Sequence, residues 1–243
     1  MSVNAKSETK VAAVVGAGPG LGAALAGRFA REGYTVGLFA RSEESLREVQ
    51  RAVQDAGGRA AVYATDATEA GSVHASFERL RQEHGAPEVC IYNAGTFRMA
   101  GFLETSPEDF DTSYRINCLG GVLCAREVLP AMLERGRGTL LFTGATASLR
   151  GGPRSASFAA GKFGLRAVAQ SLAREFGPRG IHVAHVVIDG VIDTARTRAY
   201  APGLKPSERL SPDAIAETYW QLHRQDASAW TQELDLRPAP EKF

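Results

Sequence analysis

Val11-Ala-Ala-Val-Val15-Gly16-Ala-Gly18-Pro19-Gly20-Leu21-Gly22 decides the fold. Five apolar residues running into glycines read as a parallel strand buried on both faces. The Gly16-x-x-x-Gly20-x-Gly22 spacing, ahead of a helical stretch, suits a loop that brings backbone close to a pyrophosphate. A helix opening directly after it would direct its free N–H groups at that phosphate.

Outward from this loop the chain alternates. A helix over 21–32 and a strand over 35–40 come first. A helix over 42–56 follows, with Ser42 as its N-cap, and then a strand over 60–65. A helix over 70–82 leads to a strand over 89–92, a long helix over 113–134 and a strand over 139–143. The rest reads as a helix over 157–176, a strand over 181–187, a polar excursion over 194–211, a helix over 212–224 and a strand near 231–236. Such β/α alternation implies right-handed crossovers and a doubly wound parallel sheet: an α/β, Rossmann-like fold of about seven strands with helices on both faces. No linker or repeat divides residues 1–243, so one domain is expected.

Composition narrows the function. The net charge of +1 comes from 28 basic and 27 acidic residues spread along the chain, without the basic stripe of a nucleic-acid binder. No apolar run is read as a membrane span, and residues 1–10 are polar, without a signal-peptide core. Cys90, Cys118 and Cys124 sit in apolar segments, as buried reduced thiols of a cytoplasmic protein do. No metal site is expected.

Further motifs stand in register with the glycine loop: Asp66-Ala67, Asn93-Ala94-Gly95, Asn117, a Phe158/Lys162 pair, and Ile188-Asp-Gly-Val-Ile-Asp-Thr194. Together they resemble the short-chain dehydrogenase/reductase family from about Lys10 to about Pro238. The resemblance implies a nicotinamide cofactor held by Gly16, Gly18, Pro19, Gly20, Leu21, Gly22, Asp66, Ala67, Asn93, Ala94, Gly95, Lys162, Asp189, Gly190, Ile192 and Thr194. At the end of the second strand, Ala40 stands where the family has an acidic residue for the ribose, and Arg41 follows. A guanidinium there suits a 2′-phosphate and favours NADP(H) over NAD(H).

The reaction end departs from the family. Asn117 matches the asparagine that holds a water in its proton relay, and Lys162 the lysine beside its tyrosine. Phe158 stands at the tyrosine position, four residues before Lys162 and so on the same helical face. Ala145 stands at the serine position. Thr143, Thr146 and Ser148 are candidate substitute hydroxyls, Tyr200 in the lid segment 194–211 is a candidate proton donor, and Asp189 reads as a base or a loop cap. Arg196, Arg198 and Arg209 read as solvated charges or as partners of an anionic substrate. Three readings stay open: an NADP(H)-dependent oxidoreductase acting on a small carbonyl, imine or activated alkene with an unusual proton donor; a dinucleotide binder without turnover; and redox-neutral chemistry. The resemblance also implies pairing through the helices at 113–134 and 157–176. Leu119, Val122, Leu123, Val128, Leu129 and Met132 give the first of these more apolar surface than a sheet face needs, so a homodimer or homotetramer is expected. The polar tail, residues 237–243, is read as able to cross to a neighbour.

Overall fold

Strand β1 (Val11–Val15) is buried along its whole length, as its unbroken apolar run requires. It pairs in parallel with β2 (Thr35–Ala40) on one side and β4 (Val89–Tyr92) on the other. The computed structural model describes residues 10–241; the readings made for residues 1–9 and 242–243 lie outside the described residues. With β3 (Arg59–Ala64), β5 (Gly138–Thr143), β6 (Ile181–Ile188) and β9 (Glu233–Leu236), the sheet runs β3-β2-β1-β4-β5-β6-β9. Every pairing in it is parallel. The expected doubly wound, single-domain α/β architecture is what the chain adopts. The strand order reverses between β1 and β4, and crevices for ligands open at such switch points, beyond the carboxyl ends of the strands. In register, Val15 lies opposite both Phe39 and Tyr92, which sets Gly16 beside Asn93 at that edge.

The helices cover both faces. α1 (Leu21–Arg31), α2 (Glu43–Asp55) and α8 (Pro212–His223) pack over one core, which holds Leu25, Phe29, Leu46, Tyr219 and Trp220. Ser42 caps α2 as expected, its hydroxyl accepting from Ser45 N at 3.3 Å. α3 (Ala70–His84), α5 (Gly120–Arg135) and α6 (Ala156–Phe176) cover the other face, over Phe77, Tyr92, Phe142 and Leu165.

The expected helix over 113–134 begins earlier. α4 (Pro107–Tyr114) opens at Ser106, whose hydroxyl accepts from Asp109 N at 3.1 Å, with Pro107 in the first turn. It passes through a wide π turn, Arg115–Leu119, into α5. Gly120 and Gly121 let the start of α5 lie on the sheet: a Cβ on Gly120 would meet the Tyr92 hydroxyl at 2.2 Å. By length and composition, Pro107–Arg135 is long and apolar enough to cross a bilayer, contrary to the sequence reading, and half of its apolar window is buried within the chain. Val128, Leu129 and Met132, expected as surplus apolar surface, belong to the core, with Met132 packed directly on Gly138 at the start of β5.

The polar excursion is also more ordered than read. β7 (Val191–Ile192) pairs in parallel with β8 (Arg209–Leu210), and α7 (Ala195–Tyr200) stands between them. Arg209 is buried, and its guanidinium donates to the carbonyls of Ala201 and Leu204.

Candidate active site

Two glycines explain the geometry of the cofactor-like loop. Gly16 has φ +87°, and a Cβ there would lie 2.5 Å from Ala94 N; Gly20 has φ +106°, with a Cβ 2.7 Å from the Thr194 methyl. The loop is therefore seated between the Asn93–Ala94 turn and Thr194. Asn93 Nδ2 donates to Gly16 O at 3.0 Å, and Gly16 N donates to Phe39 O at 2.7 Å. Gly22 packs on the loop itself, a Cβ there falling 2.2 Å from Gly16 O, whereas Gly18 faces open space and Pro19 is exposed at the crest. No side chain caps α1; Ala23 N donates to Gly18 O at 3.0 Å, and the N–H groups of Leu21 and Gly22 are left to a ligand or solvent. That arrangement fits a dinucleotide phosphate.

Across the loop, Asp66 accepts from the Thr68 N–H at 2.9 Å and the Thr68 hydroxyl at 2.7 Å. These bonds, helped by the charge of Arg41, hold its carboxyl below the usual carboxylate range. Arg41 and Asp66 thus stand together beyond β2 and β3, one cation and one acceptor at the place expected for an adenosine. The Ala67 carbonyl packs against Gly120.

At the other end of the cleft, Gly95 brings Asn117 and Lys162 together. A Cβ on Gly95 would lie 3.2 Å from Asn117 Oδ1 and 3.5 Å from Lys162 Nζ. Asn117 sits in the π turn, fully buried; its amide donates to Thr96 O and Ser113 O, each at 3.0 Å, and its Oδ1 accepts from Thr96 N at 3.2 Å. Lys162 is 4% exposed and donates to Thr143 O at 2.8 Å. Burial pushes its ammonium down to about 8. Phe158 shares its helical face as the i, i+4 spacing predicts, with Lys162 Nζ 5.8 Å from the ring centroid.

The substitute hydroxyls are all tied inward. Thr143 Oγ1 is 2.9 Å from the buried Tyr219 hydroxyl, Thr146 donates to Asp189 at 2.5 Å, and Ser148 is fully buried and accepts from Ala145 N at 3.2 Å. Asp189 is buried as well, accepting from Thr146 and lying 3.5 Å from Arg237. Arg198 pairs with Asp193, so neither it nor Arg209 reaches out to a substrate. Gly190 packs under the buried Pro238, which turns the tail back onto its own chain as far as that residue. Thr194 caps α7, accepting from Thr197 N at 3.1 Å, and Ile192 O accepts from the Thr197 hydroxyl. Tyr200 is exposed, its hydroxyl 3.3 Å from Met99 Sδ.

Sequence reading missed a second layer. His185, fully buried in β6, lies 3.0 Å from Glu233 Oε2, and Arg166 grips both oxygens of that carboxylate at 2.6 and 2.7 Å. A Cβ on Gly144 would meet His185 Nε2 at 2.4 Å, so the imidazole packs directly under the strand end that anchors Lys162. Burial pushes His185 down to about 4, as it does His223. Both lie below the usual histidine value near 6.5, so the folded state favours the neutral ring. The resulting stability is complete above about 6.5 and is lost as pH falls toward 4, on the order of 2–3 kcal/mol for each ring. Thermal unfolding scans should show a midpoint falling steadily from pH 7 to pH 4; a flat midpoint would refute this.

The family model described as short chain dehydrogenase matches residues 10–204. A solved short-chain dehydrogenase from Rhodopseudomonas palustris is 41% identical with a TM-score of 0.82, the alignment covering 94% of this chain and 98% of that one. An alcohol dehydrogenase from the archaeon Thermococcus sibiricus, complexed with 5-hydroxy-NADP, is 28% identical with a TM-score of 0.86, over 97% of this chain and 99% of that one. A short-chain dehydrogenase/reductase from Armillaria gallica is 32% identical over 186 residues, 75% of this chain and 71% of its own. With the fold, the glycine loop and the family model in agreement, the chain belongs to the short-chain dehydrogenase/reductase family of oxidoreductases.

Proposed function

We propose that this protein is an NADP(H)-dependent oxidoreductase that moves hydride to or from a small organic carbonyl, imine or activated alkene. Bound at the glycine loop, the nicotinamide cofactor would supply the hydride. Lys162, with water at the Asn117 turn, moves the proton. The observation that carries this reading is the buried Lys162, anchored on Thr143 O and set beside Asn117 at Gly95. On this reading Phe158 and Ala145 occupy the places of the family's tyrosine and serine. A buried amine with a lowered pKa is a competent acid near neutral pH, and protonated imines or activated alkenes need little more. Tyr200 is the weaker candidate for the proton, since its hydroxyl rests on Met99.

For the cofactor, Arg41 with no acid at Ala40 supports the phosphorylated form, and the 5-hydroxy-NADP complex of the Thermococcus sibiricus relative points the same way. Fluorescence titration should show NADPH binding ahead of NADH, and Arg41→Asp should reverse that order. A charged hydrogen bond is worth about 1.5–3 kcal/mol, or roughly 10–100-fold in affinity. Equal dissociation constants in the unmodified protein would sink the assignment, and oxidation of NADPH against ketones, imines and enones tests turnover.

Assembly is part of the same proposal. Tyr114 on α4 and Phe163 on α6 are about 40% exposed, on helices that pack together beside the half-buried Leu119 and Val122. A homodimer or homotetramer would cover them; light scattering that gives a 25.9 kDa monomer at micromolar concentration would rule this out. The buried free cysteines suit a cytoplasmic setting.

A further inference from the structure

The residues above Phe158 form a surface beyond the Lys162 and Asn117 pair. Phe97, in the segment after β4, meets the half-buried Phe158 edge-on, with centroids 5.1 Å apart and planes at 68°. Tyr200, from the lid helix α7, meets Phe97 from another side at 6.4 Å and 86°. Its hydroxyl closes onto Met99 at 3.3 Å. Three separate segments, after β4, at the start of α6 and in α7, thus bring apolar groups to the carboxyl edge of the sheet beside Lys162. They remain open to solvent: Phe97 is 43% exposed, Met99 49% and Tyr200 63%. The same segment continues into Phe102 and Leu103, which are more exposed still.

Charge at this rim is largely neutralised within the chain. Arg98 pairs with Asp109 at 2.8 Å, Arg154 with Glu104 at 3.2 Å, and Arg198 with Asp193 at 2.7 Å. The hydroxyls of Thr143, Thr146 and Ser148 face inward. Apart from Lys162 and the exposed Arg196 of α7, what this mouth offers a substrate is ring faces, ring edges and a thioether, which favour aromatic and apolar partners. A cluster of exposed apolar groups of this kind marks a binding surface.

We infer that Phe97, Phe158 and Tyr200 form an aromatic clamp that takes a flat, uncharged ring system as the recognition group of the substrate. Lys162 Nζ stands over one side of the Phe158 ring, and an edge-on contact covers at most one face of a ring, so Tyr200 keeps a face for a ligand ring to stack on. Phe158 then serves as the floor of the clamp, a role in which a hydroxyl would be an unsatisfied group against an apolar ligand. The inference rests on the oxidoreductase reading for the delivery of that ring beside Lys162, but binding itself needs no turnover.

The test is equilibrium binding of 2-acetonaphthone, a neutral aryl ketone, to the NADPH-saturated protein, compared with 2-naphthoate and 2-butanone. Calorimetry should give 2-acetonaphthone at least about tenfold tighter affinity than either, and Phe97→Ala or Tyr200→Ala should each weaken it about tenfold. Tyr200→Phe, which keeps the ring, should bind like the unmodified protein, and so should Phe163→Ala on the outer face of α6. Unchanged thermal midpoints in the two alanine variants establish that they fold. Tighter binding of 2-naphthoate, or no change in both alanine variants, would overturn the clamp. The two proposals fail separately. Ring binding without NADPH oxidation keeps the clamp and defeats the oxidoreductase reading. Oxidation of NADPH by 2-butanone without binding of the aryl ketone does the reverse.

Discussion

Lys162→Met should lower the rate of substrate reduction by about 10²–10⁴-fold, the usual worth of a positioned acid, while the protein stays folded. Methionine fills a similar volume and carries no charge, so the desolvation that depresses the Lys162 ammonium is relieved. Thr143 O, which accepts from Nζ at 2.8 Å, loses that partner, a cost of about 1–3 kcal/mol if water cannot replace it. The pH profile carries the sharper information. A lysine that donates the proton must be charged, so reduction by the unmodified enzyme should fall as pH rises through about 8. Oxidation, which needs the neutral amine, should rise through the same value. Steady-state kcat and kcat/KM from pH 6 to pH 10 read both limbs, and the variant should lose the inflection. If it keeps both rate and inflection, the proton comes from elsewhere and Lys162 is only an anchor.

The second large effect is a gain. Ala145→Ser and Phe158→Tyr each restore one group that the family uses on a carbonyl oxygen, and each alone should do little. Tyrosine at 158 fits a half-buried ring beside Phe97, but its phenol would have no second donor to fix the substrate oxygen. Serine at 145 would fix that oxygen but supply no acid. Together they should raise reduction of a reactive diketone beyond the product of the single effects. Neighbours that act on one atom couple by about 0.5–3 kcal/mol, or roughly 2- to 150-fold. Steady-state NADPH oxidation by the four proteins closes the cycle. A double variant no faster than the parent, with NADPH binding intact, means that Phe158 and Ala145 are misaligned or that the pocket is not shaped for a carbonyl.

How far the sequence could be read depended on how local each signal was. The strand-glycine-helix run from Val11 to Gly22 carried its meaning in consecutive residues, and the fold followed from repeating that alternation. Ser106-Pro107-Glu108-Asp109 was an equally local start signal for α4, passed over because the apolar run begins later. The π turn at Asn117 has no composition of its own. It is set by packing, with Tyr92 donating to Ile116 O at 2.5 Å and Asn117 bonded across to Thr96. Asp189 stayed open between a base and a loop cap because Arg237, 48 residues on, is brought to it only by the pairing of β9 with β6. His185, Glu233 and Arg166 were invisible for the same reason, being three residues on three elements. Arg209 misled in the opposite direction, as a charged residue whose partners are backbone carbonyls.

The seating of Pro238 on Gly190, and of Arg237 beside Asp189, has a consequence for the order in which the molecule is made. On the ribosome the glycine loop emerges early, and β1 to β5 can assemble as a nascent half-sheet. The loop after β6 cannot lock until residues 233–238 follow, on the order of ten seconds or more after the glycine loop at ordinary elongation rates. For the last part of that interval β6 is an open edge of apolar strand, the kind that pairs with the wrong neighbour. Synthesis at low temperature, or with chaperones that shield strand edges, should therefore recover more assembled protein than any adjustment directed at the dinucleotide half.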